Sequence, residues 1–472
     1  MKRTVLTSSH PIDSNPPTTT TTITTMAIST PSPSITQAYT MAAEAYTARN
    51  PTSRSIHTKA LLSLPGGNTR TVLHYAPFPL SITRAHDATL HSADNHSYTD
   101  FLGEYTAGLY GHSHATITTA LKTAIEKGLS FGSQHEDEAL LAQAITIRFE
   151  SIDLVRFTNS GTEATLMALA AAKVFTQRHK ILVFSGGYHG GAFSFKSGVS
   201  SPVNAPHSYL IARYNSLESV RELVEQPENA DDIAAIIVEP MIGSGGAIPA
   251  SRDFLQGLRE IADERGAVLI FDEVMTSRLY EGSGVQGVLP ARSRPDLVTL
   301  GKWIGGGISF GAFGGKREIM EMFDPRKGGD SLAHAGTFNN NVLTMAAGRV
   351  GLEEVFTPEK ARELHERGER LRKELNGVGG GRTLMKWTGL GSIMNATFTT
   401  TPIGQIKCPE DFGEVVAGLG DLLHLFLLDR GYYMARRGFV SLSLALTDED
   451  LTGFVDAVRE FVEEHKVLIT QD

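Results

Sequence analysis

Four short, uninterrupted apolar runs punctuate the middle of the chain, at residues 181–184, 234–238, 268–271 and 297–300. Between them lie segments with helical spacing of apolar positions, at 163–177, 217–225 and 252–264. Continuous apolar strands separated by helices predict an α/β fold with a mainly parallel, doubly wound sheet covered on both faces. An Ala/Tyr/Met-rich helix is expected over 34–50, before the turn Pro65-Gly66-Gly67. After Asn341 the pattern predicts a helix through 346–354, a charged stretch at 359–376 and a glycine-rich turn at 377–381. Strand-like runs at 392–397 and 438–445 then suggest a smaller α+β domain. No internal repeat is visible.

The first 36 residues differ from the rest. Thr18 to Thr22 form one run, with Pro16, Pro17, Pro31 and Pro33 nearby. Such a Thr/Ser/Pro tract has too little apolar surface to offset its ordering entropy, so residues 1–36 are expected to be a disordered extension. A mitochondrial presequence is the competing reading, weakened because only Lys2 and Arg3 precede Asp13. Across 472 residues, 43 Lys+Arg stand against 52 Asp+Glu, a formal charge of −9. That balance, without basic blocks, argues against nucleic-acid binding. The densest apolar stretch, 422–428, is far short of the ~20 residues a bilayer span needs. The single Cys408 excludes an intrachain disulfide and a cysteine-rich metal centre. A cytoplasmic enzyme or binding protein fits all of this. No metal site is expected.

Four local motifs carry chemistry. Thr158-Asn159-Ser160-Gly161-Thr162-Glu163 stands at the start of an Ala/Leu-rich helix, where backbone N–H groups and the helix dipole suit a phosphate. An ordinary Ser/Thr cap is the plain alternative. Ser185-Gly186-Gly187-Tyr188-His189-Gly190-Gly191 follows a strand, so glycines flank an aromatic ring that could stand against a flat ligand, or simply form a packed corner. Asp272-Glu273-Val274 ends another strand, on the side where α/β sheets bind ligands. A buried carboxylate there should need a cationic partner. Finally, Thr299-Leu300-Gly301-Lys302 ends a strand in one lysine among apolar and glycine residues, and a desolvated lysine amine can act as a nucleophile.

The order of these motifs is more informative than any one of them. A phosphate cup, an aromatic, a strand-end aspartate and a strand-end lysine 30 residues later are the parts needed to hold pyridoxal 5′-phosphate (PLP). At roughly residues 60–465 the chain resembles the class III aminotransferases of PLP fold type I. Within them it looks like the β-phenylalanine, or β-amino-acid, aminotransferases. The resemblance is carried by Gly66-Gly67-Asn68-Thr69-Arg70, Tyr75-Ala76-Pro77-Phe78-Pro79, Glu104-Tyr105-Thr106-Ala107-Gly108, Gly336-Thr337-Phe338-Asn339-Asn340-Asn341 and Arg436-Arg437-Gly438-Phe439-Val440. The sister group, the glutamate-1-semialdehyde aminomutases, shares the cup, the Asp-Glu-Val and the lysine, but lacks the double arginine.

The resemblance implies a division into the extension 1–36, a segment 37–100 contributing to the small domain, a large PLP-binding domain 101–350 and a C-terminal small domain 351–472. It implies Lys302 as the Schiff-base and proton-shuttling lysine, and Asp272 as partner of the pyridine nitrogen. Ser160, Gly161 and Thr162 should hold the phosphate. Tyr188 and Val274, the latter taken to continue the Asp272 strand, should flank the ring. His189 and Glu239 should be supporting polar residues. Thr337 should reach the phosphate of a second subunit, making the active unit a homodimer. Arg70 matches the family arginine that holds the β-amino-acid carboxylate, and Arg437 or Arg436 the one for the α-oxo acid. Read as an extended strand, those neighbours would point to opposite faces, and Arg437 is favoured for the site. Met275 is a candidate for the substrate pocket. The implied partners are a small-molecule β-amino-acid donor and an acceptor such as 2-oxoglutarate or pyruvate. Two alternatives stand beside this: intramolecular amino transfer of the aminomutase type, and a non-catalytic binding module on the same fold.

Overall fold

The computed structural model describes residues 27–470. Its centre is a seven-stranded sheet in the order Leu154–Thr158, Gly311–Gly315, Leu297–Gly301, Val268–Asp272, Ile233–Val238, Lys180–Phe184, Ser208–Ala212. Only Gly311–Gly315 runs against its neighbours. All four apolar runs of the sequence are central strands of this sheet. Its alternate side chains feed two cores. Ile181, Val183, Ala235 and Ile237 pack with Ala164, Ala168 and Ala172 of helix Gly161–Thr176. Leu182, Phe184, Ile236 and Val238 pack with Phe254, Leu258 and Ile261 of helix Arg252–Arg265. Small residues on the first helix let it lie close to the sheet, which fixes where its N-terminus points.

The strand Gly311–Gly315, sequence GAFGG, has no apolar-run signature. Glycine is needed there because neighbours come too close for a side chain: a Cβ at Gly311 would collide with the Ser160 main chain, and one at Gly315 with the Asp296 carbonyl. Its insertion between Leu154–Thr158 and Leu297–Gly301 brings the Ser160 turn beside the strand that leads to Lys302.

A three-stranded antiparallel sheet joins Met385–Leu390, Ile393–Phe398 and Phe439–Ser441. A four-stranded sheet pairs the N-terminal strands Ile82–His86, Thr89–Ser92 and Ser97–Asp100 with Tyr432–Tyr433 near the other end of the chain. The segment carrying Arg70 and the one carrying Arg437 are thereby tied together. The run expected at 438–445 is a shorter strand, because past Ser441 the backbone pairs elsewhere, Leu442 with Ser392 and Leu444 with Leu109.

The expected disordered extension needs correction at its end. Residues 1–26 lie outside the described residues, but Ala27–Ile28 pairs in parallel with Glu414–Val415, and a helix spans Pro33–Arg49. The prolines and serines there are a helix start: Ser32 caps the Ile35 N–H and Pro33 takes the first turn. Among the described residues, no helix is long and apolar enough to cross a membrane, and no cluster of His, Cys, Asp and Glu could hold a metal ion.

Candidate active site

The N-terminus of helix Gly161–Thr176 lies against Val274, just past the end of strand Val268–Asp272. Ser160 is its N-cap and accepts from Glu163 N at 3.2 Å, while the Glu163 carboxylate returns to Asn159 N at 2.6 Å. The N–H groups of Gly161 and Thr162 have no acceptor within the helix, as the first turn dictates. Thr162 Oγ1 accepts from Gly191 N at 3.1 Å and keeps its own proton for a further acceptor. A Cβ at Gly161 would stand 3.0 Å from both methyls of Val274, so only glycine fits against that side chain without displacing it.

Strand Val268–Asp272 ends in the buried Asp272, whose Oδ2 accepts from His189 Nδ1 at 2.8 Å. Burial, the largest influence on His189, pulls its pKa down. The hydrogen bond and charge of Asp272, with Glu239 beyond, outweigh it and leave the pKa raised. Asp272 therefore has a hydrogen-bond partner whose protonated form it favours. Glu273 does not: it is fully buried, accepts from Thr276 Oγ1 and from Gln286 N at 2.8 Å, and burial raises its pKa to about 7. The expectation of a counter-cation fails at Glu273, because a carboxyl that keeps its proton needs only hydrogen-bond partners. Val274 also departs from expectation. The strand stops at Asp272, whose Oδ1 accepts from Val274 N at 3.1 Å and turns the chain, carrying Val274 into the loop beyond, against Gly161 and Gly301.

Lys302 follows the next strand with its backbone in the left-handed region, φ 55°. Its amine makes no hydrogen bond or ion pair among the described residues. Burial lowers its pKa to about 8; Asp272 and Glu239 oppose this, and Arg437 and Arg70 add to it. Glu239 is buried beneath Tyr188, accepting from Tyr188 N at 2.9 Å and Gly243 N at 3.1 Å, and burial raises its pKa. Tyr188 remains about half exposed.

Both arginines meet at one ring. The Arg70 guanidinium lies 5.7 Å from the centre of Tyr105 and pairs with Glu104. That of Arg437 lies 5.3 Å from Tyr105 and 5.1 Å from Phe439, and donates to the Ser244 carbonyl at 3.3 Å. Arg436 turns away and pairs with Asp421 at 3.0 Å. The two diverge in a turn rather than a strand: Gly438 N closes onto Ala435 O at 2.8 Å, and the strand begins only at Phe439. Met275 packs against the Tyr105 cluster with its thioether at Gly243. Thr337 lies on an exposed loop whose Asn339 accepts from Asn159 at 2.9 Å.

Sequence reasoning quoted Glu104 and Tyr105 but gave neither a role. Their position depends on four consecutive left-handed residues, Gly103 to Thr106, with φ of 52°, 45°, 53° and 83°. Three of these are not glycine, so no sequence signal marks the turn.

A helix end with unsatisfied N–H groups, a buried Asp–His pair and a desolvated lysine make a donor set that fits PLP. The chain belongs to the class-III aminotransferases: that family model matches residues 72–403. It is 48% identical over 436 residues to a beta-phenylalanine transaminase of Variovorax paradoxus, covering 92% of this chain and 98% of the relative. The solved structure of the Variovorax beta-phenylalanine aminotransferase superimposes with a TM-score of 0.88 over 93% of this chain and 99% of that one. A glutamate-1-semialdehyde 2,1-aminomutase of Heliobacterium modesticaldum is 36% identical, covering 86% of this chain and 96% of the relative. A transaminase solved with PLP bound is 29% identical, with a TM-score of 0.79 over 88% of this chain and 98% of that one. The fold is that of the type I PLP enzymes, and the protein is a PLP-dependent aminotransferase.

Proposed function

We propose that the enzyme moves the amino group of an aromatic β-amino acid, of the β-phenylalanine kind, to an α-oxo acid such as 2-oxoglutarate or pyruvate. The observation that carries this reading is that Arg70 and Arg437 both reach the Tyr105 ring. One site must take two substrates in turn, and a guanidinium holds a carboxylate bidentately. In a β-amino acid the carboxylate is one carbon further from the nitrogen than in an α-amino acid. Two anchors at different places answer that difference, with Arg70 for the donor and Arg437 for the oxo acid. The identity to the Variovorax beta-phenylalanine transaminase supports the same reading.

In this scheme Ser160, Gly161 and Thr162 hold the phosphate, Tyr188 and Val274 flank the ring, and Asp272, oriented by His189, faces the pyridine nitrogen. PLP, when bound, supplies an electron sink for the carbon that carries the amine. Lys302 is the lysine that carries the cofactor. Its amine, with a pKa near 8, is a base of suitable strength to take and return the proton at that carbon. Met275 lines the pocket for the donor side chain. Thr337 on its exposed loop reaches the phosphate of a second copy, so the active unit is a homodimer.

Incubating the holoenzyme with racemic 3-amino-3-phenylpropanoate and 2-oxoglutarate tests the reading. Glutamate and a free oxo acid should form as one enantiomer, the (S) form, is consumed. Failure to form them, with glutamate-1-semialdehyde rearranged instead, would favour the aminomutase. Sedimentation of a fully active monomer would contradict the role given to Thr337.

A further inference from the structure

The two arginines differ in their resting state. Arg437 has no carboxylate partner among the described residues; it donates to a main-chain carbonyl and stacks on rings. Arg70 is already neutralised by Glu104, and both members of that pair are about half exposed. Glu104 is where it is because of an expensive turn. Left-handed backbone is unfavourable at a residue with a Cβ, and Glu104, Tyr105 and Thr106 all adopt it. Asp100 holds the turn: its Oδ1 accepts from Leu102 N at 2.8 Å and Gly103 N at 3.1 Å, and its Oδ2 accepts from His112 Nε2 at 2.9 Å. Gly103 is obligatory, since a Cβ there would strike the Ser441 carbonyl. The turn thus sets Glu104 against Arg70 and brings the Tyr105 ring against both guanidinium groups.

On its other side Glu104 borders a cavity of about 420 Å³. His57, Asn68 and His112 line it and offer a displaced carboxylate polar groups, while its openness to water keeps a charge there solvated.

We propose that Glu104 is the resident counter-ion of Arg70, exchanged for the carboxylate of the amino donor and released into this cavity. It is a positioning residue that acts through Arg70. The inference rests on the assignment of Arg70 to the donor made above. Its consequence is an ordered choice between two cations. With Glu104 in place, an incoming oxo acid meets one unpaired guanidinium, Arg437. A β-amino acid leaves the charge balance at Arg70 unchanged when it takes the place of Glu104. Without Glu104, Arg70 would hold a donor carboxylate more tightly, with Arg437 still the anchor of the oxo acid.

The test uses the PLP-loaded enzyme and 3-phenylpropanoate, a carboxylate with the donor's skeleton and no amine. Binding is followed by calorimetry and by the cofactor absorbance. An exposed ion pair is weak, so removing the competitor through Glu104→Gln should tighten 3-phenylpropanoate by about two- to fivefold. The donor KM should fall by a similar factor with kcat unchanged, the 2-oxoglutarate half-reaction should be unaffected, and Arg70→Ala combined with Glu104→Gln should erase the gain. Unchanged or weaker binding in Glu104→Gln, while Arg70→Ala alone still weakens the donor, would overturn the proposal and leave the arginine assignment standing. Equal damage to both half-reactions would mean that Glu104 only shapes the turn, and would also overturn it. If Arg70→Ala leaves the donor half-reaction intact, the assignment of Arg70 fails first.

Discussion

His189 Nδ1 stands 2.8 Å from Asp272 Oδ2, and both side chains are buried. The pair sets a buried carboxylate of the site in direct hydrogen bond with an imidazole whose protonated form it favours. A hydrogen bond to a buried charge contributes about 1.5–3 kcal/mol, and its removal leaves the carboxylate unpaired. His189→Ala should therefore weaken retention of PLP by roughly ten- to a hundredfold. Cofactor release on dilution, followed by absorbance, measures this. Retention equal to the parent enzyme would show that Asp272 is oriented by something else.

The arginines should separate the two half-reactions. Arg70→Ala should slow or weaken the β-amino-acid half-reaction by roughly ten- to a hundredfold and spare the 2-oxoglutarate half-reaction. Arg437→Ala should show the reverse. Arg436→Ala removes only an exposed pair with Asp421 and should cost about 1 kcal/mol or less in stability, with little effect on either half. Single-turnover measurements of each half decide it. Equal losses in both halves for Arg70→Ala would mean one arginine serves both substrates.

Lys302 gives a stability prediction with a definite pH window. Its folded pKa of about 8 lies below the value of 10.5 for a free lysine. The unfolded chain binds the extra proton between those values, so stability rises with pH across that range, and the cost of burying the charge is greatest below pH 8. In cofactor-stripped protein Lys302→Met should raise stability by roughly 1–3 kcal/mol at pH 7, with the gap narrowing by pH 10. Urea midpoints at the two pH values test it; a gap independent of pH would contradict the assignment.

Glu273 works in the opposite direction. Burial raises its folded pKa to about 7, from 4.5 in the unfolded chain. The folded protein holds the extra proton between these values, so this group's contribution is complete below about pH 4.5 and lost as the pH rises through 7. Glu273→Gln, which stays neutral, should gain stability relative to the parent as the pH is raised from 5 to 8. Denaturation at both ends of that window measures the gain. The same difference at pH 5 and pH 8 would show that Glu273 is ionised when folded.

Much of the site was legible because its parts are local. A strand that must be buried on both faces is written as a continuous apolar run, so the strands leading to Asp272 and Lys302 stand out in the sequence. The Ser160 cap and Gly161 are likewise a local helix-start pattern, and the double arginine is a local motif. Elements held by non-local contacts were not legible. Gly311–Gly315 is a strand because its neighbours press on it, and glycine there reports their proximity rather than any strand preference. Ala27–Ile28 is ordered by Glu414–Val415, nearly four hundred residues away.

The sequence by itself determined the parallel sheet, the order of the cofactor-site residues and the presence of arginines able to bind carboxylates. Only the tertiary structure decided which of them share a site. It turned Arg437 toward Tyr105 and Arg436 toward Asp421, placed His189 on Asp272 and left Glu273 without a cation. It also set Glu104 on Arg70 through left-handed backbone at residues with side chains. The physical reason is that periodicity and caps are short-range properties of the chain. The pairing of charges and the tolerance of strain depend on what the rest of the fold packs around them.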